Sequence, residues 1–202
     1  MRLVIMVLFI SAVFGQMYSY AITTKAPFTT VKVQSKTVMA TDEMVFAVIN
    51  VPVTEYGYLG DYKKLSSAAK REVLKDTKAV KLNLGEGLPD VYEVQVMYSQ
   101  FCSASGGNCP SGIIGKLNNK YVLLLNSAGN GMRYLKSKHH GVNDIVSYSH
   151  VGGGANACTV HEFDGLKYYA NESRSVYEYY QRENNKTYYL NEKEYKKYIL
   201  DY

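Results

Sequence analysis

The chain has 202 residues, 47% hydrophobic and 20% charged, which provides apolar mass for a packed core and excludes a disordered polypeptide. Four prolines exclude a Pro-rich linker protein. The formal charge of +5 comes with 18 lysines scattered along the chain, which lacks the clustered basic face of a nucleic-acid reader.

In chain order, Arg2 precedes the apolar run Leu3–Gly15, and Ser19 and Ala21 place small residues at the −3 and −1 positions of a cleavage site. This is the pattern of a secretory leader, predicted over residues 1–21 and removed after Ala21. A spanning helix needs about 20 apolar residues. This run is shorter, and Gln16 and Tyr18 close it. No later run reaches spanning length, so no integral membrane span is expected. The expected location is the periplasm or the exterior.

Residues 22–80 form a weakly patterned N-terminal region. The β-branched apolar run 44–51 reads as a buried strand. Pro52 and the Gly57–Gly60 stretch break it. Ser66 and Ser67 are placed to cap a short helix over Ala68–Asp76, with Leu65, Ala68, Ala69 and Val73 on one side.

Residues 81–170 read as a β-rich domain. After a turn at Leu84–Asp90, the residues Tyr92, Val94, Val96 and Tyr98 alternate with Glu93, Gln95 and Met97, the period of a half-buried strand. A Gly/Ser-rich loop between Cys102 and Cys109 follows. Ile113–Leu117 and Lys120–Leu125 read as a hairpin turning at Asn118-Asn119. Further strands are predicted at Met132–Lys136, Asp144–His150, Cys158–Phe163 and Leu166–Tyr169, with Gly152–Gly154 as a loop. Asp164-Gly165 suits a two-residue turn with positive φ. That register sets Glu162 opposite Lys167 and His161 opposite Tyr168, with Phe163, Leu166 and Tyr168 inward. Residues 171–202 form a Tyr-rich tail. Asn191 and Glu194 resemble a capping pair for a helix over Glu192–Leu200, with Tyr195, Tyr198 and Ile199 on one face.

Export makes a disulfide the default for Cys102, Cys109 and Cys158. Three is odd, so one thiol is left over. Nearness in sequence favours Cys102–Cys109, which contributes about 2.5 kcal/mol by chain entropy. A Cys102–Cys158 bridge closes a longer loop and is the alternative.

The candidate chemistries are thin. A Cys158 nucleophile needs His161 or His150 within reach, but residues three apart on a strand point to opposite faces. Zinc would have to recruit His139, His140, His150, His161 and Cys158, and no HExxH, CxxC or His-x-His spacing is present. The adjacent His139-His140 reads as a solvated turn. Gly152–Gly154 lacks the Lys-Ser/Thr and helix of a phosphate loop. Ser147, Ser149 and His150 lack a Gly-x-Ser-x-Gly elbow. No catalytic set, metal or cofactor is expected.

Four motifs recur together: Gly87-Leu88-Pro89-Asp90 before a strand, the Cys102–Cys109 loop, Gly141-Val142-Asn143-Asp144-Ile145-Val146, and Phe163-Asp164-Gly165-Leu166-Lys167-Tyr168. Over about residues 80–170 this resembles secreted bacterial proteins with integrin-like FG-GAP repeats, whose blades are propeller-like and whose functions are mostly unassigned. The resemblance implies a mainly β fold of antiparallel hairpins, like part of a β-propeller, with one or two short helices. In that group the turn before the first strand is often a calcium loop. Here Glu86 and Asp90 match its end, but Lys81 or Leu82 and Asn83 or Leu84 stand at the earlier acidic positions, so a structural turn is expected.

Some secreted half-propeller-like proteins act as immunity proteins that plug a rival's cell-wall hydrolase. The expectation is therefore a non-enzymatic periplasmic binding or inhibitor protein with a protein partner. Its contact residues are Ser103, Ser105 and Asn108 in the disulfide-framed loop, and Gly153 and Asn156 in the glycine loop. The alternatives are a secreted zinc- or Cys-dependent hydrolase and a structural envelope protein docking through its Tyr-rich tail.

Overall fold

The computed structural model describes residues 25–50, 62–88, 90–102, 108–129, 131–152, 154–182 and 184–196. The predicted leader lies outside them, as do Tyr198 and Ile199. Among the described residues no helix is long and apolar enough to cross a membrane.

The fold is mainly β and antiparallel, with one strongly curled sheet forming a half-barrel, consistent with part of a propeller. Among the described residues, eleven strands form two sheets. One sheet has the order β2-β3-β4-β5-β6, built from Ser35–Val38, Thr77–Leu82, Val91–Val96, Cys109–Leu117 and Lys120–Gly129. The other has the order β1-β7-β8-β9-β10-β11, built from Thr30–Val31, Met132–His139, Val142–Gly152, Ala155–Phe163, Tyr168–Gln181 and Lys186–Leu190. From β3 onward each sheet is a meander, so neighbours in sequence are neighbours in space. The Tyr-rich residues after 170 continue β10 and supply β11. There Tyr177 stacks on Tyr195 with ring centroids 4.0 Å apart.

Turn chemistry sets the hairpins. Asn118 and Asn119 both take positive φ, 48° and 61°, and Leu117 pairs with Lys120 across the two-residue turn. Asp164-Gly165 behaves differently from the expected two-residue turn. The Asp164 carboxylate accepts from the amides of Leu166 and Lys167, both at 2.8 Å, and the Asp164 amide donates to the Lys167 carbonyl. The side chain thus closes a four-residue loop, and Phe163 pairs with Tyr168, Glu162 with Tyr169 and His161 with Ala170. Phe163 and Tyr168 are inward, but Leu166 is 82% exposed.

The run read as a strand over 44–51 is instead a helix, α1, over Asp42–Ile49. The Thr41 hydroxyl caps it by accepting from the Met44 amide, Asp42 and Glu43 occupy the first turn, and Met44, Val45, Val48 and Ile49 form the buried face. Capping and one-sided burial outweigh the strand preference of β-branched residues. Helix α2, Ser67–Lys75, starts at the expected Ser66 cap, with Val73 buried and Ala68 exposed. Helix α3, Glu192–Tyr195, has the full Asn191/Glu194 capping box. The described residues therefore hold three short α-helices, one more than the upper expectation, and the extra one is α1.

Helices α1 and α2 cover the first sheet, where Met44, Val45, Val48 and Val73 pack on Val94, Val96 and Ile114. The sheets meet through Leu82, Leu84, Val91, Ile113 and Leu125 on one side and Val142, Ile145, Phe163 and Tyr168 on the other. Two glycines allow the seam. A Cβ on Gly85 would lie 2.1 Å from the Gly141 carbonyl oxygen, and one on Gly129 2.0 Å from that of Tyr148. At those distances no side chain fits without moving backbone.

Candidate functional site

The predicted contact residues that are described, Asn108 and Asn156, both partner His150. Asn108 leads into β5, and its side-chain amide pairs with the backbone of His150. The amide nitrogen donates to the His150 carbonyl at 3.0 Å, and the His150 amide donates to the Asn108 carbonyl oxygen at 2.9 Å. The side chain acts as one more rung of a β-ladder. Asn156 is the cross-strand partner of the same His150. Cys102 and Cys109 are disulfide-bonded. The Asn108 pair thus fastens the chain just before Cys109 to the β8–β9 hairpin at His150. There Val151 is 40% exposed, and Gly152 and Gly154 take positive φ. Ser103, Ser105 and Gly153 lie outside the described residues.

The nucleophile candidates are arranged otherwise. Cys158 is buried with Tyr148 and Val160, and its sulfur lies 4.0 Å from the Glu178 carboxylate. Burial, reinforced by Glu178, pushes the thiol up to about 12, so no thiolate forms near neutrality. His161 sits on the other face of β9. Its Nε2 lies 2.8 Å from the Ser147 Oγ, and both residues are buried. Burial pushes His161 down to about 4, leaving a neutral imidazole. No carboxylate hydrogen bond to His161 occurs among the described residues, so the orienting third member of a triad is missing there.

A polar constellation joins Asp144, which lies in the Gly141–Val146 motif, and His139, one of the zinc candidates, to Glu162 and Arg174, whose roles no motif flagged. Asp144 on β8 and Glu162 on β9 lie on one face, with side chains 0% and 7% exposed. Arg174 Nη1 donates to Asp144 Oδ2 at 2.8 Å and to Glu162 Oε1 at 2.5 Å. Ser137 donates to Asp144 Oδ2, and Asn171 and Tyr169 donate to Glu162. His139 Nδ1 lies 2.7 Å from Asp144 Oδ1. Two register shifts aim the donors. One lies between Tyr134 and Lys138 on β7 and brackets Ser137, and the other lies between Asn171 and Val176 on β10 and brackets Arg174. Burial raises the Glu162 carboxyl, but the hydrogen bonds from Arg174, Tyr169 and Asn171 outweigh it and hold the group below the usual carboxylate range. The network ties four adjacent strands. A charged residue inside each of the apolar runs around Asp144 and Glu162 was the sequence signal for it.

The structure does not bring the five sequence-level zinc candidates together. His140 is an exposed turn residue, and His150 is at the far end of β8. At the turn that resembles a calcium loop, the Lys81 ammonium donates to Asp90 Oδ1 at 2.6 Å, placing the chain's own cation beside that carboxylate. Separately, a cleft of about 670 Å³ between α1 and the β5–β6 hairpin is lined by Phe46, Tyr62, Tyr121 and several lysines. Comparison with protein-family models, curated proteins and solved structures finds no match.

Proposed function

We propose that this chain is an exported, non-enzymatic binding protein, and specifically an inhibitor that plugs a cell-wall hydrolase in the periplasm or outside the cell. The Asn108–His150 pair carries the reading. It joins two separately predicted contact loops, 42 residues apart in sequence, into one edge. A disulfide on the first loop and paired strands beneath the second lower the ordering entropy that binding costs. The exposed Val151 supplies an apolar centre among polar neighbours, the composition expected of a small protein interface. The disulfide supports passage through an oxidising compartment.

The test is turbidimetric. Purified full chain is added to cell-wall suspensions being cleared by a lysozyme-type glycosidase, a lytic transglycosylase and an amidase, one at a time. The reading expects stoichiometric inhibition of one class, weakened at least tenfold by Val151→Glu and by Asn108→Ala. Clearance unaffected in all three, or inhibition untouched by both substitutions, overturns it.

A further inference from the structure

We propose that His139 and Glu162 form a site for a divalent cation of the zinc and manganese class, with Asp144 and Arg174 as its supports. The first argument is charge. Two buried carboxylates face a single permanent cation, Arg174, so the second positive charge beside them comes either from a protonated His139 or from a bound ion. Buried charge is tolerated only when paired.

The second argument is how the oxygens divide. Arg174 takes Asp144 Oδ2 and Glu162 Oε1. The remaining oxygens, Asp144 Oδ1 and Glu162 Oε2, are the ones facing His139, and Glu162 Oε2 also accepts from the Tyr169 hydroxyl at 2.9 Å. Arg174 therefore braces the carboxylates from behind and does not occupy the histidine side.

The third argument is geometry. In the neutral tautomer whose Nδ1–H donates to Asp144 Oδ1 at 2.7 Å, the lone pair is on Nε2. That nitrogen lies 3.5 Å from Glu162 Oε2. Two acceptors then face each other beyond hydrogen-bond contact. An ion about 2.1 Å from each would see them at about 113°, close to the tetrahedral angle that zinc prefers. A carboxylate on the far ring nitrogen is the usual support of a metal-bound histidine. The ligand atoms of His139, Asp144 and Glu162 all lie within 4.8 Å of one another. The His139 side chain is 41% exposed, so water can complete the shell. A mixed imidazole and carboxylate set suits zinc or manganese over calcium. The ligands come from separate strands, which is why no spacing motif announces them.

The site is distinct from the proposed inhibitory edge, so failure of hydrolase inhibition leaves it standing. Its test is calorimetric titration of zinc chloride, manganese chloride and calcium chloride into chelator-stripped full chain, with melting temperature read in parallel. Zinc is expected to bind at one equivalent and raise the melting temperature by several degrees, with calcium at least tenfold weaker. His139→Ala, at a half-exposed position, is expected to keep the fold and weaken zinc at least tenfold, while His140→Ala leaves binding unchanged. Absence of binding overturns the proposal. So does binding that His139→Ala leaves intact or that His140→Ala removes equally.

Discussion

His161 and Glu162 are neighbours on one strand with opposite electrostatic fates. Both are buried, His161 against Ser147 and Glu162 against Arg174, Tyr169 and Asn171. On the His161 face burial meets one neutral partner, and the group loses its charge. On the Glu162 face burial meets a guanidinium and two further donors, and the charge is kept. Because side chains alternate across a sheet, one strand serves a neutral interior on one side and a charge-bearing tie across four strands on the other. Partner number decides the outcome, since burial is common to both.

The hardest way to break this contrast is to remove the partner on the charged side. Arg174→Met leaves Asp144 and Glu162 buried without their guanidinium and is expected to cost about 3 to 5 kcal/mol in urea denaturation. Adding Glu162→Gln should recover part of that loss. A smaller cost would mean that water already shares the carboxylates.

The neutral side is probed by pH. Unfolded, His161 titrates near 6.5, and folded, near 4. Between those values the unfolded chain holds the extra proton, so stability falls as pH drops through this window, by about 3 kcal/mol in full. Denaturation at a series of pH values should show that slope, and His161→Leu should flatten it. A slope that survives the substitution assigns it to another group.

Ser147→Ala sharpens the comparison at a smaller scale. It strands the buried His161 Nε2 without its partner and should cost about 1 to 2 kcal/mol. The smallest effect is expected at Leu166, 82% exposed in the four-residue loop. Leu166→Ser should change stability by less than about 0.5 kcal/mol. A larger loss would restore the two-residue turn that sets Leu166 inward.

That last case marks what the sequence made legible. The Asn118-Asn119 hairpin and the Ser66 and Asn191 caps were readable because the deciding groups sit within three residues of one another. The 164–167 loop was misjudged because a carboxylate bonding two later amides overrode the backbone preference of Asp-Gly. Helix α1 was misjudged because its β-branched run hid a cap at Thr41. For the proposed contact edge, the junction of Asn108 with His150 was not legible, since it depends on strand register between distant segments. The Asp144–Glu162–Arg174 network showed in the sequence only as charges inside the strands of Asp144 and Glu162. It draws on four strands, and two bulges place its donors.

The central claim is that the disulfide-framed loop and the β8–β9 tip act as one binding edge. Hydrogen exchange of the full chain, alone and mixed with each hydrolase, tests it most directly. The account predicts slowed exchange at residues 108–112 and 148–157 together with one hydrolase class. Protection confined to the β10–β11 strands, or to only one of the two segments, would contradict it.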